Sequence, residues 1–142
     1  MATIKSFTSL EQSRKLAEFL PLESADMFYG YIAPYEFSDR SYEGGYDNIP
    51  YPKDFMKKNP NFSEDEYDGE FPCWSLAALI KALPRSVEYK GDAYYLGLLK
   101  DYVEYANNKI SLTGIFLHTT GNDNLVDACV EIIEKLHEQK LL

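Results

Sequence analysis

The residues whose types could do nucleophilic chemistry are Cys73, His118 and His137. Cys73 stands just before a predicted helix, where the helix dipole lowers the pKa of a thiol. A nucleophilic cysteine also needs a general base, and no spacing in the sequence brings either histidine beside it. Because cysteine outside disulfides is among the most often buried residue types, we interpret Cys73 as a core residue and predict no catalytic residue.

A metal site would have to use the same few side chains or the acidic run at residues 64–70. Zinc ligands usually come in close pairs such as C-x₂-C, whereas the two cysteines are 56 residues apart and the two histidines 19. The acidic run places Gly69 at the sixth position of a calcium loop, but the twelfth position is Ser75 rather than a bidentate glutamate. We therefore predict no metal and no cofactor.

The main functional lead is a segment rich in tyrosine and acid, residues 35–71. Its ten acidic and four basic residues give it −6 of the protein's net charge of −9, and glycines and prolines mark it as a long loop. Flexible Tyr-rich surfaces are typical of recognition, because rigid rings supply contact area at low entropic cost. The alternative, which the sequence leaves open, is that the rings fold back over a sheet. The predicted binding residues are Tyr35, Phe37, Tyr42, Tyr46, Tyr51, Tyr67 and Asp68.

The composition disfavours several classes of partner. The chain has 142 residues, and its densest basic stretch, Lys53 with Lys57 and Lys58, is flanked by acids. Nucleic-acid binding depends on Lys and Arg that release phosphate counterions, so direct nucleic-acid binding is not expected. No stretch approaches the roughly 18 apolar residues of a membrane span, so no membrane contact is expected. The N-terminus lacks a signal-peptide pattern, which predicts a soluble cytoplasmic protein with two reduced cysteines.

Helix signals occur at three places in the chain. Thr8 and Glu11 form a T-x-x-E capping box, which predicts a first helix. Ser75 is the predicted N-cap of a second helix over residues 76–83. Asn124 is the predicted N-cap of the last helix. The 3.6-residue period of that helix predicts an inward stripe of Val126, Cys129, Val130, Ile133, Leu136 and His137.

Strand signals occur over residues 26–33 and 86–118. The first stretch is aromatic and apolar, and the second is divided by turn signals near residues 91, 100 and 107. Residues 94–106 can also be drawn as a helix, but we interpret them as strands of an antiparallel β meander. The sequence thus predicts an α+β fold, in which a meander packs with about three α-helices as a layered helix–sheet sandwich. We expect a single domain over residues 1–142, with residues 35–71 as the long loop.

Three blocks carry a resemblance to known proteins: LAEFLPLESADMF, PCWSLAALIKALP and DNLVDACVEIIEKLHEQKLL. Together they resemble small uncharacterised proteins of prophages and mobile elements in gut Bacteroides-like bacteria. The layout is more distantly similar to the phage ABA sandwich domain, whose P-x-[YW]-S motif matches Pro72, Trp74 and Ser75 and whose later acidic-Ala pair matches Asp127 and Ala128. The resemblance implies a fold and a genomic setting, and it implies no reaction.

From these observations we expect a non-enzymatic accessory protein of a phage or mobile element that binds a protein partner, either through the 35–71 loop or through an exposed sheet face. A cationic partner fits a domain of charge −9 by electrostatic complementarity. Two alternatives remain open. One is a small enzyme with a site between the 35–71 loop and the sheet, and the other is a structural component of a virion. The sequence does not determine the oligomeric state.

Overall fold

The computed structural model describes residues 5–32, 34–37, 39–46, 49–53, 69–107 and 114–142. Within these ranges the chain forms three α-helices, one 3₁₀ turn and ten strands. In chain order they are α1 (Leu10–Leu16), the 3₁₀ turn (Leu22–Ser24), β1 (Met27–Ile32), β2 (Tyr35–Phe37), β3 (Arg40–Tyr42), β4 (Gly45–Tyr46), β5 (Tyr51–Pro52), β6 (Gly69–Cys73), α2 (Leu76–Ala82), β7 (Ser86–Tyr89), β8 (Asp92–Leu99), β9 (Tyr102–Ala106), β10 (Ile115–His118) and α3 (Leu125–Glu138).

The architecture is α+β with antiparallel sheets, which confirms the predicted fold class. The chain divides into two compact units. The N-terminal unit is Ser9–Trp74, and the C-terminal unit is Met1–Thr8 together with Ser75–Leu142. The start of the chain joins the C-terminal unit because Phe7 forms an antiparallel bridge with Ser75, and Lys5 makes an ion pair with Asp127 at 2.8 Å. One domain over residues 1–142 stays a prediction.

The sheet of the N-terminal unit is built around β1. Strand β6 pairs along its length, from Met27 opposite Cys73 to Tyr31 opposite Gly69. Because a strand has two edges and β6 occupies one, the short strands β5 and β4 share the other edge at its two ends. Phe28 and Tyr29 point to opposite faces and both are buried, so both faces of β1 are covered.

The capping box of helix α1 lies one residue later than predicted. Ser9, not Thr8, is the N-cap: its side chain accepts from the backbone N–H of Gln12, whose side chain accepts in turn from the Ser9 N–H. Thr8, the predicted cap, is fully buried. The motif is therefore S-x-x-Q rather than T-x-x-E.

The segment predicted as a loop over residues 35–71 contains several short strands where it is described. Strands β2 and β3 form a separate two-stranded sheet, with Tyr35 opposite Tyr42 and Phe37 opposite Arg40. Strands β4, β5 and β6 join β1. Glycines and prolines divide the segment as expected, but the aromatic residues between them favour pairing. Residues 54–68 lie outside the described part of the chain.

The sheet of the C-terminal unit is the predicted meander, in the order β10-β9-β8-β7. Residues 94–106 are strands, which confirms the preferred interpretation over the helical one. The β7–β8 turn lies at the predicted place near residue 91: Lys90 and Gly91 have φ values of 50° and 83°, and Asp92 already belongs to β8. Two positive φ values in a two-residue turn match the right-handed twist of a hairpin.

Helix α3 supplies most of the core of the C-terminal unit. It packs against β9, β10 and α2, and Val103 and Tyr105 of β9 are fully buried. The predicted inward stripe is confirmed except at His137, which is exposed because it lies in the last turn. Its buried residues are Val126, Ala128, Cys129, Val130, Ile132, Ile133 and Leu136.

Capping by Ser75 should contribute measurably to stability. Its side chain accepts a hydrogen bond from the Ala78 N–H at 3.2 Å, as predicted, and α2 has only seven residues. We expect Ser75→Ala to lower the free energy of unfolding by about 1 kcal/mol in urea titrations, since an N–H at the helix start loses its acceptor. Ser75→Asp keeps an acceptor and should remain close to the parent. The exposed Ser86→Ala is the control, and an equal effect in both alanine variants would contradict the capping role.

Candidate functional site

The structure distributes the predicted binding residues over three short elements. Tyr35, Phe37 and Tyr42 lie in the β2–β3 hairpin, Tyr46 lies in β4 and Tyr51 in β5. Tyr67 and Asp68 fall outside the described residues. The seven positions therefore do not form one continuous strand or helix in the described part of the chain.

Two of these rings contact the sheet of the N-terminal unit. Tyr46 meets Phe71 edge to face with 5.9 Å between ring centroids, and Tyr51 meets Phe28 at 6.0 Å. Both tyrosines are half-buried. Such aromatic pairs contribute packing beyond their buried area. At Tyr46 and Tyr51, the rings thus fold back onto the sheet.

Cys73 is fully buried in β6, and its neighbour is a tyrosine rather than a base. Burial raises the pKa of Tyr29 above its ordinary value, and the charge of Cys73 and a hydrogen bond between the two side chains add to the effect. Neither cysteine is in a disulfide. His118 and His137 both belong to the C-terminal unit and are exposed. Across the described ranges, no three His, Cys, Asp or Glu side chains are grouped so as to hold a metal ion.

A cleft of about 220 Å³ opens in the N-terminal unit, at the end of the sheet where β1 begins. Its walls are apolar apart from one lysine. They are formed by Leu22, Ala25, Met27, Phe28, Lys53 and Pro72. No carboxylate, histidine or cysteine lines this cleft in the part of the chain that the structure describes. It is an apolar recess with one positive charge rather than an acid–base site.

The larger candidate surface is the face of the β7–β10 sheet that α3 does not cover. We call it the outer face. Side chains alternate along a strand, so the neighbours of the buried Val103 and Tyr105 point away from α3. The strand register extends this face across the sheet in rows: Tyr95 is opposite Ala106, which is opposite Ile115; Gly97 is opposite Glu104, which is opposite His118; and Leu99 is opposite Tyr102.

The outer face carries three large hydrophobic side chains that are exposed. Tyr95 is 55% exposed, Leu99 63% and Ile115 50%. The described chain has seven large exposed hydrophobic residues, and these three share one face: Tyr95 and Leu99 lie on β8 and Ile115 on β10, with β9 between them. Tyr95 and Ile115 end one cross-strand row with Ala106 between them, and exposed apolar residues grouped on one face make it a candidate interaction site.

The charged groups of the outer face are acidic. Glu104 accepts a hydrogen bond from the Tyr102 hydroxyl at 3.2 Å, and its side chain lies across Gly97, where an added Cβ would come within 3.2 Å of it. Burial and the neighbouring Glu104 raise the pKa of Tyr102, which keeps its hydroxyl a donor to the carboxylate. Glu88 shares the face, and the strands place no Lys or Arg there among the described residues.

An exposed sheet face was one of the two expected partner surfaces, but the strand pattern does not determine which face the helices cover. The alternation of residues 95, 97 and 99 was visible, but either face of the meander could have met the helices. The pairing of Tyr95 through Ala106 to Ile115 spans three strands and depends on register. Only the burial of Val103 and Tyr105 assigns the inner face.

Among the helices of the described chain, none combines the length and the apolar character needed to cross a bilayer. In comparisons with known proteins, no protein-family model, no curated protein and no solved structure matches the chain.

Proposed function

We propose that the protein is a non-enzymatic accessory protein of a phage or mobile element that binds a cationic protein partner through its outer face. The genomic setting rests on the sequence resemblance of the three blocks at residues 16–28, 72–84 and 123–142. A cytoplasmic location is part of the proposal, and it is supported by two cysteines that are buried and outside disulfides.

The observation that carries the binding role is the exposure of Tyr95, Leu99 and Ile115 on one face of the sheet. Leaving such side chains in water is unfavourable, at about 25 cal/mol per Å² of apolar area that could otherwise be buried. Tyrosine is also enriched in interfaces, since its ring gives area and its hydroxyl a hydrogen bond. A partner that covers these side chains recovers that free energy.

The charges of the outer face indicate the sign of the partner's charge. Glu88 and Glu104 are its carboxylates, and the protein as a whole carries −9. A basic partner would gain speed of association from the overall charge and specificity from pairing with Glu104. An acidic partner would be repelled by both.

The size of the outer face limits what the partner can present. Four strands spaced about 4.8 Å apart, with strands up to eight residues long, give a face of a few hundred Å². This is well below the roughly 800 Å² that each partner buries in a standard interface. A single basic amphipathic helix or strand fits such a face, with apolar residues over Leu99 and a basic residue near Glu104.

Partner capture with point variants tests this proposal. Immobilised protein is incubated with lysate of the source cells, and bound proteins are identified by mass spectrometry with and without added salt. We expect the double variant Tyr95→Ala with Leu99→Ala to lose the captured partner by tenfold or more, and Glu104→Gln to weaken capture less but to reduce its salt dependence. The captured partner should be basic.

The matched control is Ile49→Ala, which removes a side chain that is 66% exposed in the N-terminal unit. It should capture the same partner as the parent. Equal capture by the double variant and the parent would refute binding through the outer face. Point variants are the better test because deleting residues 36–70 would remove β3, β4 and β5 and most of β2, and shorten β6, the partner of β1.

A further inference from the structure

The cleft at the end of the N-terminal sheet has a construction that suits a particular class of small molecule. Phe28 is directly opposite Pro72 on β6 and Tyr51 on β5, so these side chains share one face of the sheet. Leu22 and Ala25, which precede β1, complete the apolar wall. Phe28 and Ala25 are buried, so the floor is formed by side chains that the sheet holds in place.

Lys53 brings one positive charge to this apolar recess. Its backbone N–H donates to the Asp26 carbonyl at 3.0 Å, immediately after β5 pairs with β1, so the backbone that carries the lysine is fixed. Its ammonium lies 3.4 Å from the Ala25 carbonyl oxygen, at the wall of the cleft. An ammonium has three donors, and within the described residues one backbone carbonyl accepts from it. The remaining donors suit a ligand oxygen.

We propose that this cleft binds a small monocarboxylic acid with a compact apolar body. The carboxylate pairs with the Lys53 ammonium, and the body packs against Phe28 and Pro72. The charge of Lys53 selects an anion, and the apolar wall selects a hydrophobic body. At about 220 Å³ the cleft is below the 300–1,000 Å³ of drug-sized ligand sites, so the acid is small. This site is separate from the outer face and does not depend on it.

The test compares two probes of the same shape, 3-phenylpropionate and 3-phenylpropan-1-ol, in titrations of the full chain followed by ¹H–¹⁵N chemical shifts. We expect the acid to shift the amides of Ala25, Met27, Phe28 and Lys53 saturably. It should bind about tenfold more tightly than the alcohol, because the carboxylate adds a charge–charge attraction to the hydrogen bond from the ammonium, whereas the hydroxyl is a neutral acceptor. Equal affinities, or no saturable shift with the acid, would overturn the proposal.

Variants assign the difference to Lys53. Lys53→Met keeps the apolar stem and should bring the acid to the affinity of the alcohol, whereas Lys53→Arg should keep the preference for the acid. Lys81→Met removes an exposed lysine of α2 and should leave both affinities unchanged. An unaltered preference in Lys53→Met would contradict the role of the ammonium. A peptide with a C-terminal phenylalanine and a free carboxylate is the further probe. If it binds more than tenfold more tightly than the acid, the proposal is overturned in favour of a peptide C-terminus as the ligand.

Discussion

Replacing Trp74 by alanine should lower the free energy of unfolding by about 3–5 kcal/mol, the range for deleting a buried aromatic side chain. Trp74 is fully buried in the N-terminal unit, so the substitution removes apolar contacts and leaves a cavity. Its indole N–H also donates to the Ser24 hydroxyl oxygen at 3.0 Å, and that hydroxyl donates in turn to the Pro21 carbonyl. The measurement is urea unfolding followed by far-UV circular dichroism.

Two milder variants separate packing from hydrogen bonding at this position. Trp74→Phe keeps most of the ring and should cost less than Trp74→Ala, while Ser24→Ala leaves the indole N–H without this acceptor and should cost about 1–3 kcal/mol. If Trp74→Phe and Ser24→Ala both act through this hydrogen bond, the double variant Trp74→Phe with Ser24→Ala lowers the free energy of unfolding by less than the sum of the two single losses. A loss below 1 kcal/mol in Trp74→Ala would show that this side chain does not stabilise the unit.

Stability should fall steeply at alkaline pH. Burial raises the pKa of the Cys129 thiol from 9.0 to about 12. Burial first, and the charge of Cys129 second, raise the pKa of Tyr105 above its ordinary value of 10.0, and Tyr29 is raised in the same direction. The folded protein therefore holds these protons more tightly than the unfolded chain. Their contribution is complete below about pH 9 and is lost as the pH rises through the folded-state pKa values.

The expected slope is up to about 1.4 kcal/mol per pH unit for each group that titrates in the unfolded chain alone. Urea midpoints measured at intervals between pH 8 and 12 give this slope. Cys129→Val should make it shallower from pH 9 upwards, because the thiol that titrates first in the unfolded chain is gone. Tyr95→Phe is the control, since Tyr95 is an exposed tyrosine of the outer face. Stability that stays constant up to pH 11 would contradict the buried neutral state of these groups.

Much of the fold could be predicted because its signals are local. Ser75 and Asn124 cap their helices as expected, since capping depends on residues three positions apart. The first helix shows the limit of this reasoning: Thr8 and Ser9 are both competent caps, and only the burial of Thr8 decides between them. The predicted inward stripe of α3 is buried except in its last turn, where His137 is exposed.

The candidate surfaces were less predictable because they depend on contacts distant in sequence. The first residues of the chain join the C-terminal unit through the pairing of Phe7 with Ser75, which no local pattern predicts. The cleft needs Leu22, Phe28 and Pro72 to meet, and they come from three elements. The tyrosine content of the 35–71 segment was visible, but the packing of Tyr46 on Phe71 is a tertiary contact.

The two cysteines can serve as native probes of local unfolding in each unit. Cys73 and Cys129 are both fully buried, and one belongs to each unit. An alkylating reagent in native buffer therefore reaches each thiol only when the surrounding structure opens, and the modification rate reports how often this happens. Peptide mass spectrometry at the two sites would yield two separate opening equilibria from a single sample without engineered labels.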